Sequence, residues 1–86
     1  MYECEIKGKL DKKLQKMAKR ERISYRAIVK KIEQIVEDPY LGKPLHGLLK
    51  GKRRIQMGHF VLIYEVDEKG HKVAFLDFAH HDDAYK

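Results

Sequence analysis

The side chains best suited to chemistry lie close together near the C-terminal end of the sequence, in His80-His81-Asp82-Asp83-Ala84-Tyr85. Histidine has an unperturbed pKa near about 6.5, so it exchanges protons close to neutrality, and a positioned acid or base contributes roughly 10²–10⁴-fold in rate. Neighbours in an extended strand point to opposite faces, so only one of His80 and His81 can reach a given reacting group directly. Two imidazoles beside two carboxylates also read as metal ligands. Consecutive ligands seldom converge on one ion, however, so no metal site is expected. A second candidate is the run Lys50-Gly51-Lys52-Arg53-Arg54. Alternation sends Lys52 and Arg54 to one side of a strand and Arg53 to the other. Ile55 and Met57 suit a core, which leaves Arg54 and Gln56 on an open face, where a guanidinium can make paired hydrogen bonds to phosphate. The plainer readings are a solvated charge run and polar residues on a loosely held tail. His59 and Glu65 are lesser polar candidates.

Those residues sit in a basic chain. Nineteen Lys and Arg against thirteen Asp and Glu give a net charge of +6, with 37% of residues charged and 43% hydrophobic. Such an excess favours a polyanionic partner: nucleic acid first, an acidic protein second, a membrane surface third. The lone Cys4 excludes an internal disulfide and a cysteine-based zinc site, and is expected to fill core space. The opening MYECEIKGKL holds no apolar run of signal-peptide length, and no stretch approaches the roughly eighteen apolar residues of a membrane span. A soluble, cytoplasmic protein with no membrane partner is the expectation.

The positioning elements follow from periodicity. Tyr2 to Ile6 alternates as a half-buried strand, and Gly8 breaks it. From Lys9 to Arg20, Leu10, Leu14, Met17 and Ala18 recur at helical spacing under a basic outer face. Ser24 reads as the N-cap of a second helix that runs to Glu37 and buries Ile28, Ile32, Ile35 and Val36; Pro39 ends it. Tyr40 to Gly51 reads as a loop, held to the core by Leu45, Leu48 and Leu49. Arg53–Met57, Phe60–Val66 and Lys72–His80 read as three strands, joined by turns at Gly58-His59 and at 67–70. The order predicts one α+β domain over residues 1–86, β-α-α-β-β-β. Its N-terminal helical hairpin packs on one face of a four-stranded, mainly antiparallel sheet, because a sheet with one apolar face must bury it.

This order resembles that of the RelE/ParE toxins of type II toxin-antitoxin systems, and specific stretches add to the likeness. These are Pro39 at the end of the second helix, Leu45-His46-Gly47, the basic strand Arg54-Ile55-Gln56-Met57, the glycine turn at Gly58, the strand ending Ile63-Tyr64, and the closing His80-His81 with Tyr85 beyond. The resemblance covers nearly the whole chain. It departs at Gln56, Val61 and His81, positions that are often arginine in RNA-cleaving relatives.

The resemblance implies a RelE-like, metal-independent mRNA endoribonuclease that acts on ribosome-bound mRNA and inhibits translation, and it implies no cofactor. His81 is the leading general acid or base, His80 supports it, and Tyr85 positions or stacks on a base. Arg54 binds phosphate and stabilises charge, with Lys50, Lys52 and Arg53 as further RNA contacts. A plainer role for Tyr85 is to anchor the tail. The implied partners are a cognate antitoxin, mRNA and the ribosome, and the toxin-antitoxin complex could itself bind operator DNA. The neutral Gln56 and Val61 keep two rivals open: a ParE-like DNA gyrase inhibitor without hydrolytic activity, and a catalytically silent RNA- or antitoxin-binding module.

Overall fold

The computed structural model describes residues 1–84. Strand β1 (Glu3–Ile6) leads into helices α1 (Gly8–Arg20) and α2 (Arg22–Glu37). The short strand β2 (Lys43–Pro44) and a 3-10 turn (Gly47–Leu49) follow, then β3 (Lys52–Met57), β4 (Phe60–Asp67) and β5 (Lys72–His80). The strands form one sheet in the order β1-β5-β4-β3-β2, with β1 parallel to β5 and every other pair antiparallel.

The sheet therefore has five strands, not the four expected. The extra one pairs Lys43 with Arg54 and Pro44 with Arg53 inside the segment read as loop. Two residues are too few to show alternation, and proline, which lacks an N–H, is tolerated at a sheet edge. Helix α2 begins at Arg22, and Glu21 alone separates the two helices, so Ser24 lies inside the helix and is not its cap. Pro39 does follow the helix end, beyond Asp38. Two expectations about burial fail. Cys4 is exposed on the edge strand β1, and Leu48 points fully into solvent.

The core is built as periodicity required. Leu10 and Leu14 of α1 and Ile28, Ile32, Ile35 and Val36 of α2 pack against Leu62 and Tyr64 of β4 and Val73 and Phe75 of β5, with Met17, Ile55, Met57 and Phe78 around them. Between Ile63 and Tyr64 the register with β5 slips, so that Ile63 faces Asp77 while Tyr64 faces Phe75. Leu76 is the extra residue of a bulge. Phe75 and Phe78 thus both face the helices although three positions apart, which an unbroken strand would forbid.

Tyr64 is wholly buried, and its hydroxyl ties down the chain that leaves α2. It donates to the Pro39 carbonyl at 2.8 Å and accepts the Gly42 N–H at 2.8 Å. Gly42 is required there, because a Cβ would lie 2.6 Å from both that hydroxyl and the Arg54 carbonyl oxygen. Burial pushes the phenol pKa up, so the group stays protonated as a donor. Tyr64→Phe should lower stability by about 1–3 kcal/mol in thermal unfolding, since it leaves the buried Gly42 N–H without its partner.

Candidate functional site

Strand β3 presents two different faces. Ile55 and Met57 pack toward the helices, so Lys52, Arg54 and Gln56 lie on the opposite, open side, as alternation required. There Lys52 pairs with Glu65, Arg54 with Ile63 and Gln56 with Val61. Arg53 faces the other way and is occupied: its Nη1 donates to the Gly42 carbonyl at 2.6 Å, and its guanidinium lies 4.8 Å from the centre of the Tyr40 ring. It anchors the loop. Lys50 is exposed just after the 3-10 turn, where Gly51 has a φ of 94°.

The floor of the open side is apolar. Val61 is fully buried between Gln56 and Ala79, and Ile63 is nearly so. A side chain buried at position 61 supplies packing, not charge. Gln56 donates from Nε2 to the Gly58 carbonyl at 3.0 Å and so helps shape the turn. Gly58, with a φ of 67°, supplies the left-handed residue that a two-residue hairpin with glycine first requires.

His80 is the last residue of β5, and His81 follows it in a turn. His80 pairs with Phe60 across β4 and β5 and lies on the helix side, with its ring 5.5 Å from that of Phe60 and 6.2 Å from that of His59. Its Nδ1 accepts the Asp82 N–H at 3.2 Å. His81 is exposed and continues the ladder by one step, donating its backbone N–H to the His59 carbonyl at 2.8 Å. That step directs its side chain to the side of Ala79, Gln56 and Arg54. Its Nδ1 is 3.8 Å from an Asp82 carboxylate oxygen, and the other oxygen is 3.6 Å from Nδ1 of His80, so the carboxylate lies near both rings but beyond hydrogen-bond distance of either Nδ1. Tyr85 lies outside the described residues.

Strand spacing sets how far these groups can cooperate. Arg54 aligns with Asp77 two strands away, four residues before His81, so the Cα atoms of Arg54 and His81 are roughly 16 Å apart. An extended substrate could touch both, with Arg54 on a flanking phosphate. Among the described residues, no three His, Cys, Asp or Glu side chains converge in a metal-binding arrangement.

Sequence reasoning missed the contact that fixes this end of the sheet. Asp77 accepts hydrogen bonds from Lys13 at 2.7 Å and from the Phe78 N–H at 2.9 Å, and Lys9 lies at 3.1 Å. Burial pushes its carboxyl pKa up, but the two lysines outweigh burial and hold it below the ordinary carboxylate range. The bulge at Leu76 aims Asp77 at α1, and nothing in the local sequence marks that position. Beside it a groove of about 760 Å³ runs between the helices and the His80 end of the sheet, with Met17, Ile28, Phe60 and Phe78 as its apolar floor and Lys9 and Lys13 on its rim.

Residues 5–85 match the model of the ParE toxin of the type II toxin-antitoxin system parDE. The chain belongs to this family. It is 45% identical over its full length, and over 93% of the relative's, to a protein of Methanocaldococcus jannaschii whose name, RelE4, places it among RelE toxins. The fold is shared with the toxin in the RelBE2 toxin-antitoxin complex of Mycobacterium tuberculosis (TM-score 0.79, 23% identity, 93% of this chain and 98% of that one). It is shared as well with the YoeB/ParE toxin of Agrobacterium tumefaciens (TM-score 0.82, 14% identity, 92% and 98%). The protein is thus a toxin of the RelE/ParE superfamily, as the sequence motifs implied. Among the described residues no helix is long and apolar enough to cross a membrane.

Proposed function

We propose that this toxin is a metal-independent endoribonuclease that cleaves ribosome-bound mRNA to a 2′,3′-cyclic phosphate and a 5′-hydroxyl. The observation that supports the reading is Arg54 on the open side of the sheet with His81 exposed just past the end of β5. Cleavage requires removing the 2′-OH proton, stabilising charge at phosphorus and protonating the leaving 5′-oxygen. His81 is the exposed proton-transfer group at the end of β5, beside Asp82. Arg54 and Lys52 hold the phosphate chain upstream or downstream of the scissile bond, and His80 acts from the opposite side by fixing Asp82. Ribosome dependence rests on the resemblance to RelE toxins.

A cognate antitoxin is the expected protein partner, in keeping with the toxin-antitoxin complex among the structural relatives. An amphipathic segment suits the groove, whose apolar floor offers burial.

The test is incubation of purified toxin with mRNA, free and on programmed ribosomes, with Arg54→Ala in parallel. Cleavage by the parent is expected. Affinity of the parent for single-stranded RNA should fall with salt, and the mutant's log–log slope should be shallower by about 0.7, the contribution of one lost phosphate contact. Equal slopes would remove Arg54 from the phosphate path. Absence of cleavage under both conditions would sink the endoribonuclease reading in favour of a gyrase inhibitor or a silent binding module.

A further inference from the structure

The positive charge of this toxin is not on the sheet. Residues 12–31 hold nine Lys or Arg and one acidic residue, Glu21, whereas the rest of the chain has ten Lys or Arg against twelve Asp or Glu. The excess therefore belongs to the C-terminal part of α1 and the N-terminal part of α2, which meet at Glu21. At 100° per residue, Lys12 and Lys19 lie opposite Leu10 and Leu14 on α1, and Arg26 and Lys30 lie opposite Ile28 and Ile32 on α2. All four are exposed, as is Arg22. Both helices bury their apolar sides in one core with the sheet, so these charges share the outer layer of the hairpin. Among the described residues none of the five makes an ion pair.

On α1, Lys19 lies in the last turn, where the helix dipole favours positive charge, but on α2 the arrangement works against the helix that carries it. The first turn of α2 has no acidic residue, and Arg22 sits where the helix dipole favours negative charge. Arg22, Arg26 and Lys30 stand four residues apart, a spacing at which like charges repel. A local cost retained without a local compensation marks a functional surface. The surrounding chemistry narrows the ligand. The outer layer lacks the apolar centre that a protein interface needs and the apolar stripe that a membrane surface needs, with Ile23 at the turn its one exposed large apolar residue. The only aromatic residue of the hairpin, Tyr25, is half-buried, so there is no platform on which single-stranded bases could stack.

We infer that the outer face of the α1–α2 hairpin is a second, sequence-independent binding surface for the phosphate backbone of structured RNA, separate from the cleavage site on the sheet. The choice of RNA rests on the endoribonuclease reading above. The surface would set affinity, while the sheet face supplies chemistry.

The test uses the full chain and a 2′-O-methyl RNA hairpin, which cannot be cleaved, so binding is read whether or not the protein is a nuclease. One variant combines Lys12→Gln, Lys19→Gln, Arg22→Gln, Arg26→Gln and Lys30→Gln; a second exchanges Lys for Arg and Arg for Lys at the same five positions. The glutamine variant should bind the RNA at least about 10-fold more weakly at low salt, with a log–log salt slope shallower by about two or more, as loss of several phosphate contacts requires. The charge-conserving variant should bind like the parent, and circular dichroism should show parental helix content in both. An unchanged affinity and slope in the folded glutamine variant would overturn the proposal, as would a matching DNA duplex bound more tightly than the RNA.

Discussion

His81→Ala should lower single-turnover cleavage of ribosome-bound mRNA by about 10²-fold or more, while antitoxin binding and the melting temperature stay close to those of the parent. The expectation comes from where the side chain lies. His81 is exposed just past β5, directed to the side of the sheet that carries Arg54, and makes no contribution to the core. Truncation therefore removes chemistry, not packing. His81→Arg divides that chemistry in two. Arginine stabilises charge but does not exchange protons near neutrality, because its pKa lies above about 12. An inactive His81→Arg with intact RNA binding identifies proton transfer as the role of position 81, and an active one identifies charge stabilisation. Parental cleavage by His81→Ala would remove this residue from the site.

Phe75→Ala should cost about 3–5 kcal/mol, the range for truncating a fully buried aromatic side chain. Phe75 has no solvent exposure, pairs with Ile6 and Tyr64 on its two neighbouring strands, and lies with its ring 5.7 Å from that of Tyr64. It sits immediately before the bulge at Leu76. A domain of this size has a total stability of roughly 4–13 kcal/mol, so the loss is a large share of the whole. The melting temperature should fall by about 12 °C or more, and chemical denaturation should show the same loss at an unchanged m-value. A shift of less than about 5 °C would mean that β5 does not carry the core.

Two local errors trace to weak signals. Ser24 is a residue type that caps helices, yet a single residue, Glu21, suffices to turn the chain between α1 and α2, and so close a turn leaves Ser24 inside the second helix. Leu48 is apolar, but it lies in a 3-10 turn between Gly47 and Gly51, both with positive φ, and these bends carry it away from the sheet. The run from Lys50 to Arg54 stands out in the sequence, but Arg53 faces the core side, where it binds the Gly42 carbonyl.

By itself the sequence determined the element order, the helical hairpin, the apolar positions that bury it against the sheet and the open side that carries Arg54. All of these follow from periodicities of 3.6 and 2, which are local properties of the backbone. Family membership was legible in the spacing of short motifs for the same reason. Only the tertiary structure decided which histidine faces the open side. An unbroken β5 with Val73 and Phe75 in the core would place His81 toward the helices and His80 on the open side; the bulge at Leu76 exchanges them. A bulge arises where two strands must keep pairing while their core-facing residues fall out of step, and that depends on a partner strand distant in sequence. The tie between Tyr64 and the Pro39–Gly42 segment, the Asp77 contact with α1 and the two-residue strand β2 belong to the same class, since each needs residues far apart in the chain to be brought within a few ångströms.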